Sequence, residues 1–228
     1  MDEISFQVGE GEFLAIVGPT GCGKTTFLNA LSKLVPSTRG DILINGEEAD
    51  PKKHNLAFVF QEPSSMPWRT ARENVSYGME VKKVPAPERE VRLRQILSLV
   101  GLADSANLYP NQISASMEQR LAVARAFATR PDLLLMDEPF GQLDAQPRYF
   151  MEKETVRIWE TEKRTVLFVT NNIDEAIYLG DRIVMLEGKL PGRMKSVYPV
   201  HLPRPREHTD LIFLELRQTI TDETKLLL

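Results

Sequence analysis

A chain of 228 residues suits one large domain, or one domain that carries an insert. Apolar residues make up 42% and charged residues 26%, which excludes disordered, collagen-like and mucin-like chains. With 28 basic against 32 acidic residues and a formal charge of −4, nothing suggests a surface for duplex nucleic acid. In chain order, the short apolar run over residues 12–17 predicts a strand that breaks into a glycine loop at 18–25 and then a helix from Thr26. Alternation over 4–8 and again over 41–46, the latter closing on Asn45-Gly46, predicts two further strands, and residues 56–60 read as a buried one. From Arg72 to Arg130 the period becomes helical, with Ile96, Leu97, Leu99 and Val100 on one segment and Leu121, Val123, Ala124 and Phe127 on another. Strands return at 133–136, 166–169 and 183–186, with helices expected at 149–160 and 173–179, an alternation that predicts parallel strands with crossover helices. After Lys189 the chain turns proline-rich and basic, through Leu202-Pro-Arg-Pro-Arg206, and ends in an amphipathic stretch at 211–220. The single cysteine, Cys22, excludes an internal disulfide and fits a reducing compartment. The acidic opening Asp2-Glu3 and the lack of any apolar run near ~18 residues predict neither a secretory leader nor a membrane span.

Two motifs carry chemistry. Gly18-Pro19-Thr20-Gly21-Cys22-Gly23-Lys24-Thr25-Thr26 contains the full phosphate-loop spacing, after a predicted strand and before a predicted helix. Its backbone N–H groups and helix N-terminus would cradle phosphates, Lys24 would place a point charge on them, and the Thr25 hydroxyl would face Mg²⁺. Leu133-Leu-Leu-Met-Asp137-Glu138-Pro139 is a buried strand ending in two carboxylates, with Asp137 placed for the Mg²⁺ shell and Glu138 to take a proton from an attacking water. Together they predict hydrolysis of a nucleoside triphosphate.

With Phe60-Gln61-Glu62, Ile113-Ser-Ala-Ser-Met-Glu-Gln-Arg120, Gln142-Leu143-Asp144 and Phe168-Val-Thr170, these motifs occur in an order and spacing that resembles the ATP-binding subunits of ABC transporters. Met66-Pro67-Trp68-Arg69, Arg157-Ile-Trp159 and Leu202-Pro-Arg-Pro-Arg206 look most like the nitrate, sulfonate and taurine importer group. The resemblance implies an α/β P-loop NTPase: a RecA-like core with a mainly parallel sheet, an antiparallel N-terminal β-subdomain and an inserted α-helical subdomain. The implied division is a nucleotide-binding core at 1–65 and 126–200, a helical subdomain at 66–125 and a C-terminal appendix at 201–228. It implies ATP and Mg²⁺ as ligands. Gln61 would contact Mg²⁺ or the attacking water, while Ser114, Ser116 and Asp144 would reach nucleotide held by a second ATPase subunit. The implied setting is peripheral, on the cytoplasmic face of the membrane, with permease subunits docked near Pro63, an extracytoplasmic solute-binding protein acting indirectly, and no nucleic acid. A chromosome-maintenance ATPase would need a long coiled coil where only about fifty residues separate Gln61 from Ser114.

Three departures from the family pattern matter. Ala115 and Ser116 replace the two glycines of its signature, which would strain any left-handed backbone there. The local alternative is a helix start, with Ser116 and Gln119 at capping-box spacing, and Asp144 likewise has a turn or helix-cap reading. Asn171 stands where the family has a catalytic histidine, and Asn carries no titratable charge. This predicts reduced activity, or an impaired subunit serving as the structural or regulatory half of an asymmetric pair. The family's adenine-stacking aromatic is expected to precede residue 4 and is not found, since Phe6 reads as a core residue of its strand. His54, His201 and His208 are expected to be solvated loop residues without a role, and Cys22 to be incidental unless an alkylating reagent reaches it.

Overall fold

The structure is a computed structural model that describes residues 4–189 and 191–224; residues 1–3, 190 and 225–228 lie outside it, and with them Asp2-Glu3 and the last residues of the expected appendix. Eight strands are described: β1 Phe13–Val17, β2 Leu43–Ile44, β3 Glu47–Glu48, β4 Leu56–Val59, β5 Leu133–Asp137, β6 Thr165–Thr170, β7 Arg182–Glu187 and β8 Arg193–Pro199. Seven α-helices join them: α1 Lys24–Leu31, α2 Ala71–Val81, α3 Ala86–Leu99, α4 Ala115–Ala128, α5 Ala145–Glu162, α6 Ile173–Leu179 and α7 Leu211–Thr224. Six strands form one sheet in the order β4-β5-β6-β1-β7-β8, parallel except for the last pair, while β2 and β3 make a small antiparallel pair.

All five residues of β1 are buried because the sheet is covered on both faces. Phe13, Ala15 and Val17 point into the larger core with Leu134, Met136, Val166 and Phe168, packed by helices α2 to α7. Leu14 and Ile16 point the other way with Leu133, Leu135 and Leu167, packed by Leu28 and Leu31 of α1. Period-two alternation thus feeds two cores, and the predicted α/β architecture with a mainly parallel sheet and a small antiparallel unit is the one observed.

The departures have local causes. Residues 4–8 keep the predicted alternation, with Ile4, Phe6 and Val8 packed on the α1-side core, but they are not a strand. Side-chain alternation places a face; only a partner backbone makes a ladder. The hairpin at 41–46 shrinks to two residues per strand, turned by Asn45 at φ 53 and Gly46 at φ 81, the left-handed pair that a two-residue hairpin requires. Strand β8 was not foreseen, since half-exposed edge residues carry little periodic signal, and it pairs antiparallel to β7 with a register shift between Met185 and Leu186.

The C-terminal segment returns to the body of the molecule. Arg206, 5% exposed, donates from Nη1 to the carbonyls of Ile177 at 2.7 Å, Tyr178 at 3.0 Å and Gly180 at 2.7 Å, so it closes the end of α6. Arg204 pairs with Asp181 at 2.6 Å. This return corrects the expectation for His208: its ring stacks on Tyr178 at 4.8 Å between centroids, and its Nε2 lies 3.0 Å from Oε2 of the buried Glu152. His54 is half-buried and meets the Asp50 backbone through Nδ1 at 3.2 Å, so of the three histidines only His201 is exposed.

Candidate active site

The carboxyl ends of β1 and β5 bring the two chemical motifs together. After β1 the chain enters a loop in which Gly18 leaves no room for a side chain: an added Cβ would meet Leu186 Cβ at 2.9 Å and Cys22 Sγ at 3.0 Å. Gly23, at φ 105, then turns the loop into α1, and no side chain caps that helix. Its first N–H groups therefore have no intrahelical acceptor and are open to an anion.

Lys24 is 5% exposed, and its Nζ donates to Gly18 O at 2.8 Å and Pro19 O at 3.2 Å while pairing with Glu138 Oε1 at 3.3 Å. Thr25 Oγ1 donates to Asp137 Oδ1 at 3.2 Å. Burial holds the Asp137 carboxyl above its ordinary pKa; the Thr25 hydrogen bond opposes that rise, and the neighbouring Glu138 charge adds to it. Glu138 itself has φ 42, a left-handed conformation that costs a non-glycine residue about 1–3 kcal/mol. It is held there by its N–H donating to Val169 O at 2.8 Å and its carbonyl accepting from Gly141 N at 3.1 Å. That kink ends β5 and aims the carboxylate at Lys24.

Gln61 is exposed just beyond β4 and approaches the same turn: a Cβ added to Gly141 would lie 3.8 Å from its Nε2. Asn171 follows β6, and its Nδ2 donates to Glu138 Oε2 at 3.5 Å. Lys24, Thr25, Asp137, Glu138, Gln61 and Asn171 therefore converge at one end of the sheet. Ser114, Ser116 and Asp144 do not join them; among the described residues no hydrogen bond links these three to the phosphate loop. Cys22 does not offer the reagent handle considered for it, because its side chain is fully buried in the α1-side core and its N–H donates to Pro19 O at 3.2 Å.

The signature region also corrects an expectation. Helix α4 begins two residues earlier than Ser116 would place it, with Ser114 as its N-cap accepting from Met117 N at 3.2 Å. Gln119 instead turns inward and donates to Pro139 O. Ala115 and Ser116 are α-helical, and neither has a positive φ, so the absent glycines leave no backbone strain. Asp144 occupies the N-cap position of α5, yet its side chain makes no capping hydrogen bond and is exposed.

Some participating residues were not legible from motif spacing. Asn74, fully buried, accepts from Met66 N at 2.8 Å and donates to Met66 O at 3.1 Å, Arg69 O at 2.9 Å and Thr70 O at 3.0 Å, which shapes a loop that leaves Trp68 74% exposed. Arg125 of α4 donates to Ser64 O at 2.6 Å and Ser64 Oγ at 2.7 Å, tying the segment after Gln61 to the signature helix. Both residues sit in helical positions where the sequence offers only a polar side chain.

The donor set fits Mg-nucleotide. A hydroxyl, an amide and a single carboxylate are hard oxygen ligands, and Mg²⁺ is commonly held by one or two carboxylates plus substrate phosphates. Among the described residues no group of three or more His, Cys, Asp or Glu could hold a metal alone.

Residues 1–141 match the ABC transporter family. An uncharacterized ABC transporter ATP-binding protein of Methanocaldococcus jannaschii is 44% identical over 225 residues, which covers 99% of this chain and 84% of that protein. An aliphatic sulfonates import ATP-binding protein of Bacillus cereus is 39% identical over 223 residues, 98% of this chain and 87% of the other. A solved ATP-binding cassette, in a dimeric post-hydrolysis state bound to ADP and Pi, aligns at a TM-score of 0.72 and 30% identity over 87% of this chain and 89% of that one.

Proposed function

The chain belongs to the ABC transporter family as an ATP-binding subunit related to aliphatic sulfonate import ATPases, and on that premise we propose that it hydrolyses Mg-ATP to drive uptake of a sulfonate-type solute. The observation that carries this reading is the pairing of Lys24 with Glu138 at 3.3 Å beside Thr25 with Asp137 at 3.2 Å. Each pair is a resting arrangement with an exchangeable partner. A bound phosphate competes for Lys24, whose release leaves the Glu138 carboxylate free to accept a proton from water. Thr25 and Asp137 would hold Mg²⁺, which when bound neutralises charge on the phosphates. Gln61 orients the water or the cation from the neighbouring turn.

Among the described residues the exposed Ser114 and Asp144 have no hydrogen-bond partner in the phosphate loop, which supports a composite site with a second ATPase subunit, of this or another sequence. Trp68 and, on α2, Tyr77 and Val81 are 74%, 42% and 63% exposed, apolar side chains that permease subunits docking near Pro63 would cover. A solute-binding protein on the far side would act through those permeases. Among the described residues no helix is long and apolar enough to cross a membrane, which suits a peripheral position on the cytoplasmic face. The division into core, helical and appended segments at 65/66, 125/126 and 200/201 is part of the same proposal.

A second reading rests on Asn171, whose neutral amide meets Glu138 at 3.5 Å where a titratable ring would otherwise stand. It makes the chain a nucleotide-binding half with reduced turnover. Steady-state Mg-ATP hydrolysis by the purified chain separates the two, with Lys24→Ala as the control for contaminating activity. Turnover that disappears in Lys24→Ala supports the first reading; nucleotide binding without turnover supports the second, and a gain in Asn171→His assigns the deficit.

A further inference from the structure

Behind the turn that carries Asn171 lies a buried carboxyl group that the proposed phosphoryl chemistry does not use. Glu175 of α6 is 2% exposed, and its two carboxylate oxygens face different elements, the end of β6 and helix α5. Oε2 accepts from Thr170 Oγ1 at 2.6 Å; Oε1 lies 3.6 Å from Arg148 Nε. Thr170, 1% exposed, ends β6, and its hydroxyl also accepts from Asn172 N at 3.0 Å. Asn172 in turn caps α6, its Oδ1 accepting from Asp174 N at 2.8 Å and Glu175 N at 3.4 Å. The turn from Thr170 to Glu175 is thus closed by side chains at both ends, with Asn171 projecting from its middle toward Glu138. On the other side, Arg148 of α5 donates from Nη2 to Leu143 O at 2.9 Å, one residue before Asp144.

We propose that Glu175 is a positioning residue that, through Thr170, holds the turn carrying Asn171 against Glu138 and, through Arg148, ties that turn to the loop carrying Asp144. The proposal rests on the phosphoryl-transfer reading above, since it concerns where Asn171 and Asp144 stand in that site. The two loops leave the adjacent strands β5 and β6, whose ladder ends where Glu138 N donates to Val169 O at 2.8 Å; past that point the Thr170–Glu175–Arg148 bridge joins the Asn171 turn to the Asp144 loop. A displacement at Asp144, the residue placed to meet a second subunit, is then felt at Asn171 beside this chain's own nucleotide.

Hydrogen exchange followed by NMR on the full chain without nucleotide tests the linkage apart from catalysis. In Glu175→Ala and Thr170→Val, exchange at the Asn172 amide rises about tenfold or more while the amides of β1 and β5 stay protected. Thr170→Ser, which keeps the hydroxyl, restores wild-type exchange. Arg148→Ala raises exchange at Asn172 as well as around Asp144, although it reaches Asn172 only through Glu175 and Thr170. An unchanged Asn172 amide, or a rise shared equally by the core strands, overturns the proposal. The near-isosteric Glu175→Gln covers the case in which the alanine variant does not fold: it keeps an acceptor for Thr170 and lacks the charge facing Arg148, so its exchange rises around Asp144 more than at Asn172. A uniform response in that variant also overturns the proposal. In hydrolysis, Glu175→Gln lowers kcat about tenfold with KM within about twofold, the split expected when geometry for the chemical step is lost and binding is not. A wild-type chain without hydrolysis would count against the ATPase reading alone, because the exchange result decides the positioning role independently.

Discussion

Two basic side chains, Lys24 and Arg206, are each 5% exposed, and they solve that burial in opposite ways. Lys24 holds two loop carbonyls and one carboxylate, all beside a helix N-terminus with open N–H groups. In the proposed mechanism an incoming phosphate competes with these partners for Lys24. Arg206 holds three carbonyls at the end of α6, and burial pushes its guanidinium down to about 10. Nothing there can exchange. On the proposed reading, equal burial marks a ligand-responsive charge in one place and a permanent cap in the other, and the difference lies in whether the partners have an alternative.

The comparison is most exposed to failure at Lys24. Lys24→Ala should lower ATP turnover by about a hundredfold or more, with unfolding stability shifted by only about 1 kcal/mol, because its resting partners reach solvent once it is gone. Arg206→Ala should do the reverse: a loss of about 3 kcal/mol in denaturant unfolding, from orphaned carbonyls under a buried segment, with nucleotide affinity retained. If Arg206→Ala abolishes nucleotide binding in folded protein, or Lys24→Ala unfolds the chain, the distinction collapses.

Glu175 sharpens it further. Burial pushes this carboxyl up to about 7 from an ordinary 4.5, with the Glu152 and Glu138 charges adding to the rise and the Thr170 hydrogen bond and Arg148 opposing it. A carboxyl with a raised native pKa binds its proton more tightly when folded. Its contribution to stability is present below about pH 4.5 and is lost as pH rises through 7, about 3 kcal/mol in all. Thermal unfolding of the wild type should fall by about 6 °C or more relative to Glu175→Gln between pH 5 and 8.5, and parallel curves for the two proteins would refute this. Asn171→His should raise turnover about tenfold by placing a titratable group beside Glu138. The smallest effect is expected at the signature: since Ser116 is helical, Ser116→Gly relieves no strain, and turnover should change less than about threefold while stability drops by about 1 kcal/mol.

The phosphate loop and the Asp137-Glu138 strand end were legible because their chemistry depends on residues adjacent in sequence, where spacing and strand-loop-helix context suffice. So were the sheet strands buried on both faces, each a short apolar run. The signature was legible as a stretch but not as a conformation. Residue types at 115 and 116 said only that a left-handed backbone there would be strained, and left a helix start as the alternative; the left-handed residue that matters is Glu138, which no composition rule singles out. His208 was misread because an isolated histidine after a proline-rich stretch gives no sign that the chain folds back over Glu152 and Tyr178.

The sequence by itself determined the strand pattern, the phosphate cradle, the paired acids and the departures at residues 115, 116 and 171, all properties of short segments whose residue types dictate local geometry. Only the tertiary structure decided which charges face one another: Lys24 against Glu138, Arg148 against Glu175, and Arg206 against the end of α6. Such pairs join residues many turns apart, and whether a buried charge finds a replaceable or a permanent partner depends on the shape of the enclosure, which no single segment encodes.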